Sequence, residues 1–431
     1  MIRFAIFIAA LLPAATPALA QTGGPAITVV AVPPLTTPDT GTKGNETLAI
    51  AWQATQLIAS DLRATSDVMP LPSVQKDYYS FPEVTAPTFT KWRAAGAKAL
   101  LTGFVQSRAD GRLTFGFYAY DTVTGREVAR KGFVVAAGDW RRAAHKCAGL
   151  AYTAATGEPG VFDTRIAYVA ESGAGAARVR RVAVMDSDGF GHNFLTAGET
   201  LVLSPRLSPA GDKVAFVSYV AGKPTVIIAN IETKDQRPIV AGDALTFAPR
   251  FSPDGARLAF SMMLGPNSDI YVASANGGPP IRLTTSPGID TAPAFSPDGR
   301  QILFESDRSG SPQIYVMNVD GSDQRRVSFG GGWYSAPEFS PDGKSIAFAR
   351  RGSDGLRVGV MGADGSAERV LTSGPNDDSP VWGANSRDLL FQRIGADGRS
   401  AIFRLTSAGG AAQKLVTPQD GSDPDWSAQR D

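Results

Sequence analysis

The chain has 431 residues and nearly balanced charge, with 42 lysines and arginines against 41 aspartates and glutamates. Its length predicts two domains, and the lack of a basic patch with interleaved aromatic residues excludes nucleic acid as the main partner. Cys147 is the one cysteine in the sequence, which excludes an internal disulfide.

The first 20 residues have the pattern of a secretory signal peptide. Arg3 precedes an apolar run, and the small-residue segment 18–20 follows it. The run is interrupted by Pro13 and Pro17 and is too short to span a membrane. No other segment approaches that length, so we expect cleavage after Ala20 and an exported, soluble mature chain.

Residues 21–157 predict a small α/β domain. A buried strand begins at Ile27, and a helix with Asn45 as its N-cap follows. A second helix, three strands and a closing helix capped by Asp139 complete the domain, and residues 157–164 are the predicted hinge. The apolar face of the first long helix is predicted to consist of Leu48, Trp52, Thr55, Ile58 and Leu62.

From residue 161 to 431 the chain repeats a phrase centred on Ser-Pro-Asp-Gly. The turn serines Ser208, Ser252, Ser296 and Ser340 are each 44 residues apart, and Trp382 and Trp426 mark two degraded copies. In the copies that keep the phrase, the proline and glycine favour a tight hairpin turn between two short β-rich runs. Two further strands complete every copy except the last, and four strands per period of about 40–45 residues are typical of a β-propeller blade.

The two ends of the repeat region complement each other. The segment from Arg165 contains three predicted strands without a leading one, whereas the chain ends after a single leading strand. Pairing these ends closes a ring and removes open sheet edges. The sequence therefore predicts a six-bladed β-propeller closed by the C-terminal strand, preceded by the small α/β domain. A parallel solenoid is the alternative, but it leaves the complementary ends unexplained.

No catalytic or metal motif stands out. The two histidines are His145, in a predicted helix beside Cys147, and His192, in a turn. We find no nucleophile elbow, zinc motif, P-loop or dinucleotide fingerprint, so the sequence predicts a protein that is not an enzyme. Half-buried helix positions are expected for His145 and Cys147, and no metal or cofactor is assigned. The Asp-Gly turns lack the closing glutamate of a calcium loop, although a calcium ion in the propeller channel stays open.

A signal peptide, an α/β domain and "APxFSPDG" repeats in this order resemble the TolB family, the periplasmic components of Tol–Pal systems. The segments "IASDLRAT", "WRAAGAKALLTGFV" and "FDTRIAYV" match the family's pattern at corresponding places. The resemblance implies a periplasmic adaptor that binds the lipoprotein Pal through one propeller face and supports outer-membrane integrity and cell division. Family members also engage TolA through the extreme N-terminus, but only Gln21–Ala26 precede the first predicted strand here, a shorter segment than in better-known members.

Propeller geometry indicates which face binds a partner. The Ser-Pro-Asp-Gly turns are short and uniform on one face, whereas the loops that lead into the inner strands vary on the other. Variable loops on a rigid ring favour recognition, and adjacent aromatic residues at 333 and 334 are of the type enriched in binding hot spots. The alternative for this pair is a plug over the channel, and for the two arginines a solvated position. The predicted partner-binding residues are Leu245, Phe247, Ala248, Asp290, Thr291, Trp333, Tyr334 and Ser335, with Met262, Met263, Arg308 and Arg350 at the rim.

Ala248 and Thr291 correspond to the Pal-facing loops of the family, as the resemblance implies. Two other functions remain open from the sequence. One is an accessory propeller that binds a glycan or another small molecule, and the other is a hydrolase with an unrecognised site.

Overall fold

The computed structural model describes residues 27–65, 67–73, 80–240 and 244–430. The predicted signal peptide and its cleavage position therefore lie outside the described residues. In the described ranges, no helix combines the length and the apolar character that a membrane crossing requires.

The front domain is one mixed sheet with helices packed on it. The sheet has the order β2-β1-β3-β4-β5, in which β1 is parallel to β2 and β3 while β3, β4 and β5 are antiparallel. Two long helices share a core with one face of this sheet. The elements are β1 (Thr28–Ala31), α1 (Gly41–Arg63), β2 (Val68–Pro70), α2 (Thr90–Ala94), β3 (Ala99–Ser107), β4 (Arg112–Asp121), β5 (Glu127–Ala136) and α3 (Trp140–Thr156), with short 3₁₀ turns at Phe81–Val84 and Ala137–Asp139.

Helix α1 begins at Gly41, so the predicted cap at Asn45 is wrong. The Asp39 carboxylate just before the helix accepts hydrogen bonds from the Thr47 hydroxyl and the Ser107 amide, which anchors the helix start to β3. A Cβ atom at Gly44 would lie 2.7 Å from the Asp39 carbonyl oxygen, so only glycine allows this close approach. Tertiary anchoring thus outweighs the local capping preference of asparagine.

The propeller has six four-stranded sheets, as the repeat predicts. Within each blade the strands are antiparallel and follow one another outward from the ring axis. Blades two to four consist of β9 (Val202–Leu207), β10 (Lys213–Val220), β11 (Lys223–Asn230) and β12 (Gln236–Pro238); β13 (Leu245–Phe251), β14 (Arg257–Met263), β15 (Ser268–Ser274) and β16 (Ile281–Arg282); and β17 (Asp290–Phe295), β18 (Gln301–Ser306), β19 (Gln313–Asn318) and β20 (Arg325–Arg326).

The remaining blades include the one that closes the ring. Blades five, six and one consist of β21 (Trp333–Phe339), β22 (Ser345–Gly352), β23 (Gly355–Gly362) and β24 (Arg369–Val370); β25 (Asp377–Trp382), β26 (Asp388–Ile394), β27 (Ser400–Thr406) and β28 (Gln413–Lys414); and β29 (Asp420–Trp426) with β6 (Arg165–Ser172), β7 (Val179–Asp186) and β8 (Asn193–Phe194). The C-terminal strand β29 pairs antiparallel with β6, which is the pairing predicted from the two ends of the repeat.

The Ser-Pro-Asp-Gly phrase forms the turn between the first two strands of a blade. In blade four the Ser296 hydroxyl donates a hydrogen bond to the Asp298 carboxylate at 2.6 Å and accepts one from the Gln301 amide at 2.9 Å. Gly299 has a φ of +69°, a left-handed conformation that glycine adopts without strain. The serine, the aspartate and the glycine of the phrase therefore each have a local function in the hairpin, which explains why the phrase recurs.

Each inner strand contains a β-bulge next to a proline. The residue before the proline is left-handed, with φ between 47° and 53°, and the pairing with the second strand shifts there. A non-glycine residue in this conformation costs about 1–2 kcal/mol, and a bulge re-aims the side chains beside it. The six left-handed residues are Ser204, Ala248, Ala292, Ala336, Ser379 and Asp423.

Candidate docking face

The two faces of the ring differ in what covers them. Arg387, in the turn between β25 and β26, donates hydrogen bonds to the Asp67 carboxylate and the Tyr152 hydroxyl of the front domain, each at 2.8 Å. Arg141 of α3 pairs with Asp188, in the turn between β7 and β8. Both turns lie on the same face as the Ser-Pro-Asp-Gly turns, because the strands alternate in direction across a blade. The front domain therefore packs on this turn face, and we name the opposite face, where the inner strands begin, the docking face.

Apart from the four rim residues, the predicted footprint residues belong to inner strands of three successive blades. Leu245, Phe247 and Ala248 lie in β13, Asp290 and Thr291 in β17, and residues 333–335 in β21. The Ser261 hydroxyl donates a hydrogen bond to the Thr291 hydroxyl at 3.1 Å, which connects blade three to blade four. The structure thus brings these positions to one sector of the docking face.

The two neighbouring aromatic residues differ in exposure. Both lie in strand β21 rather than in a loop, and successive strand residues point to opposite sides. The Trp333 side chain is 56% exposed and lines a cleft of about 530 Å³ with residues 350–354, whereas Tyr334 is fully buried. The prediction that both are exposed is therefore wrong for Tyr334, and its place in the core between blades also rules out a channel plug.

Tyr334 is part of a polar network inside blade five. Its hydroxyl donates to the Glu368 carboxylate at 2.7 Å, and Arg350 pairs with the same carboxylate at 2.8 Å. Burial raises the pKa of Tyr334 to about 12, and the hydrogen bond to Glu368 acts in the same direction. Arg350, predicted to lie at the rim, is therefore held within its own blade.

Asp290 and Arg308 form a comparable pair in blade four. The Asp290 side chain is fully buried, and Arg308 donates to its carboxylate at 2.7 Å while its guanidinium lies over the rings of Phe304 and Tyr315. Asp290 is therefore not a free contact for a partner, and Arg308 is not a solvated cation.

Blade six repeats this arrangement with Asp377 and Arg393, whose carboxylate and guanidinium groups meet at 2.6 and 2.9 Å. Asp290 and Asp377 are each the first residue of an inner strand, at equivalent positions of the repeat. This equivalence is visible in the sequence and could have indicated that the two residues have the same function.

The two predicted rim methionines, Met262 and Met263, differ in burial. Met262 is buried in the core between blades two and three, so its predicted rim contact is wrong. Met263 is half-buried at the end of β14, opposite Leu245. The alternation of strand residues explains the difference, because one of each successive pair must face the neighbouring blade.

Acidic residues from three blades surround the ring axis near the docking face, and sequence reasoning missed them. Burial raises the pKa of Glu305 to about 7, and the charges of Asp378 and Asp307 add to this. Burial likewise raises the pKa of Asp378, assisted by the charge of Asp423. Further along the axis Arg250 Nη2 lies 3.3 Å from Glu338 Oε2, but burial still raises the pKa of Glu338 to about 8, and the charge of Asp425 acts in the same direction.

Within the described ranges, the carboxylates near the axis do not form a group of three as close as the ligands of one ion. Binding of a calcium ion near the axis would require these carboxylates to move closer to one another. His145, Asp186 and Asp188 do lie close, with one candidate atom each within 4.8 Å of the others. However, Arg141 pairs with Asp188, and Arg430 and Arg165 approach Asp186 at 3.2 and 3.7 Å. These arginines already supply the positive charge that a cation would bring, so we assign this group as an ion-pair network.

His145 and Cys147 are fully buried, not half-buried as predicted. Helix α3 lies between the front-domain sheet and the turn face of the propeller, so both of its sides are covered. Burial raises the pKa of the Cys147 thiol well above its ordinary value, which keeps the thiol protonated and unreactive. The Nε2 atom of His192 lies 2.9 Å from the Tyr168 hydroxyl.

Comparison with known proteins matched both parts of the chain. A family model described as the TolB beta propeller domain matches residues 152–430, and one described as the TolB amino-terminal domain matches residues 21–128. The Tol-Pal system protein TolB of Zymomonas mobilis is 47% identical over 212 residues, which are 49% of this chain and 46% of that protein. The protein of the same name from Rhizorhabdus wittichii is 45% identical over 224 residues, 50% of this chain and 51% of that protein.

The chain thus spans about half the length of these curated relatives in the alignments. The match to a solved structure is longer. The crystal structure of TolB from Acinetobacter baumannii superposes with a TM-score of 0.78 at 26% identity, covering 94% of this chain and 97% of that chain.

Proposed function

Because this chain belongs to the TolB family, we propose that it is a non-enzymatic adaptor of the Tol–Pal system in the periplasm. The observation that supports the proposal is the difference between the two propeller faces. The front domain packs on the turn face, while the docking face presents the leading ends of the inner strands. An adaptor needs such a surface on a rigid body, and it needs no catalytic group.

The proposed partner on the docking face is the peptidoglycan-associated lipoprotein Pal. Apart from the two rim arginines, the footprint that we propose consists of those predicted residues whose side chains remain half-buried or exposed, with Trp333 as its aromatic anchor. Tyr334, Met262 and Asp290 support this surface from inside the blades, and Arg308 and Arg350 stiffen its rim. The residues proposed to contact the partner are Leu245, Phe247, Ala248, Met263, Thr291, Trp333 and Ser335.

By binding Pal, the protein would support outer-membrane integrity and constriction during cell division. A contact with TolA through the N-terminus concerns residues 21–26, which lie outside the described residues, and it is not part of the proposal. No catalytic step is proposed.

Titration calorimetry with the soluble domain of the same organism's Pal tests the proposal, with and without calcium. We expect saturable one-to-one binding. The double variant Trp333→Ala, Thr291→Arg should bind at least about tenfold more weakly, because it removes an exposed aromatic anchor and introduces a charge into the proposed footprint. The control is Phe190→Ala, which removes an aromatic side chain of similar exposure, 55%, from the turn face.

Unchanged affinity of the double variant would show that the footprint is wrong. No binding by the wild-type chain under either condition would refute the adaptor proposal. Soluble peptidoglycan fragments would then be titrated, because the cleft beside Trp333 offers an aromatic surface on which a sugar ring could stack.

A further inference from the structure

His145 stands between the two domains with a carboxylate on either side. Its Nδ1 atom lies 2.7 Å from Asp61 Oδ2 on α1, and its Nε2 atom lies 3.7 Å from Asp188 Oδ2 in the propeller. The imidazole is fully buried, and among the described residues its Nε2 atom has no hydrogen-bond partner. A buried nitrogen without a partner is unfavourable unless its surroundings stabilise a charge on the ring.

When Asp61 and Asp188 are both ionised, only the protonated ring can donate a proton to each of these two neighbours. A neutral imidazole carries one N–H, so if Nδ1 donates to Asp61, the lone pair of Nε2 faces the Asp188 carboxylate. The imidazolium carries an N–H on each nitrogen, and both then point towards acceptors. Protonation therefore turns an unfavourable contact between α3 and the propeller into an attractive one.

The charged groups around the ring favour the imidazolium. Among the described residues these are Asp61 from α1, Asp186 and Asp188 from the propeller, and Arg141 from α3 itself. Burial alone would lower the pKa of His145, but the hydrogen bond and charge of Asp61, with the charge of Asp188, raise it above its ordinary value. Arg141 opposes them, and its own pairing with Asp188 reduces that opposition.

We propose that His145 is a pH-sensitive latch, which when protonated holds the front domain against the first blade of the propeller. The proposal does not depend on the partner of the docking face, because both ends of the latch lie within this chain.

The direction of the pH effect follows from the raised pKa of His145. The latch is fully closed below the unfolded-state value of about 6.5, and it opens as the pH rises through the higher folded-state value. In acid it weakens again when Asp61 takes up a proton, because burial raises the pKa of Asp61 despite the contact with His145. The interdomain contact is therefore strongest in a window around neutral and mildly acidic pH.

The experiment combines histidine NMR with a measurement of distance between the domains. The chain has two histidines, so the ring signals can be assigned with a His192→Gln variant. Spin labels at Val123→Cys in the front domain and Ile281→Cys in the propeller occupy exposed positions, while the buried Cys147 thiol stays unlabelled. We expect a narrow distance distribution that broadens at the pH where His145 loses its proton.

Two charge variants move the midpoint in opposite directions. Asp188→Asn removes a neighbouring negative charge and should shift the His145 midpoint to lower pH, whereas Arg141→Gln removes a positive charge and should shift it to higher pH. Both variants break the pair between Arg141 and Asp188, so a purely structural effect of that pair would move both in the same direction. The His192→Gln control should leave the distance profile unchanged.

A distance distribution that does not change with pH would refute the latch. So would midpoints that shift in the same direction in the two charge variants, or a His145 midpoint below that of an unfolded histidine.

Discussion

At the scale of single residues, the effect of a buried carboxylate on the stability of this propeller depends on whether an arginine lies beside it. Asp290 and Asp377 are fully buried, and each has an arginine within 3 Å. Glu305 near the ring axis is partly buried, and among the described residues no hydrogen bond or ion pair compensates its charge. The first two carboxylates stiffen their blades, whereas the charge of Glu305 works against folding.

Glu305→Gln is therefore expected to stabilise the protein at alkaline pH. The pKa of Glu305 is raised to about 7, so the wild type loses stability as the pH rises from the unfolded-state value through that point. At pH 8 the neutral amide should increase the free energy of unfolding by about 1–3 kcal/mol, with almost no gain at pH 5. Urea unfolding at both pH values measures this.

The control for this prediction is Glu46→Gln on the exposed surface of α1, which should change stability little at either pH. An equal gain for Glu305→Gln at pH 5 and pH 8 would contradict the argument, because protonated glutamic acid and glutamine are both uncharged.

At the scale of secondary-structure elements, β29 decides whether the ring is closed. It supplies the inner strand of blade one, and Trp426 at its end is buried in the core between blades one and six. The Trp426 indole donates a hydrogen bond to the Thr164 hydroxyl at 2.9 Å, and the aromatic ring would lie 2.9 Å from a Cβ at Gly383. This fit requires glycine at 383, so the last strand is held by shape as well as by backbone pairing.

Trp426→Ala should cost about 3–5 kcal/mol of folding stability, because it leaves a large cavity and an unpaired Thr164 hydroxyl at the closure. Urea unfolding at neutral pH measures the loss. Trp333→Ala is the matched control, since it removes the same side chain from an exposed position and should change stability by less than about 0.5 kcal/mol. Equal losses in the two variants would mean that β29 does not hold the ring closed.

At the scale of the whole molecule, a few polar contacts tie the front domain to the turn face. Arg387 reaches from the propeller to both Asp67 and Tyr152, and Arg404 of β27 approaches the carbonyl of Ala64. Burial tends to raise the pKa of Asp67, but the hydrogen bonds from Arg387 and Tyr152 lower it below its ordinary value. The contact between Arg387 and Asp67 therefore stabilises the protein at neutral pH, and this contribution is lost as the pH falls through the lowered pKa of Asp67.

Arg387→Ala should uncouple the two domains. We expect a loss of about 1–3 kcal/mol, typical of a hydrogen bond to a charged group, and two separate transitions in scanning calorimetry where the wild type shows one. Arg399→Ala is the control, because it removes a similar ion pair, with Asp420, that lies within the propeller. A single transition in the Arg387 variant, equal to that of the control, would show that other contacts couple the domains.

The sequence by itself determined the repeat, the number of blades, the hairpin turns and the closure by the last strand. Those features depend on local chemistry, such as the proline, aspartate and glycine of each turn, and on the complementary ends of the repeat. The placement of the proposed footprint positions in one sector of the ring followed from the same geometry, because the inner strands of successive blades begin on one face.

Only the tertiary structure decided which side chains of that sector are available. Trp333 and Tyr334 are neighbours in sequence, yet one is exposed and the other buried, because successive strand residues point to opposite sides and only one side faces the core between blades. The buried pairs of Asp290 and Tyr334, the acidic residues near the axis and the position of His145 between domains likewise depend on contacts between distant segments. Packing between blades and between domains sets these environments, and the repeat marks equivalent positions without showing which partner each side chain meets.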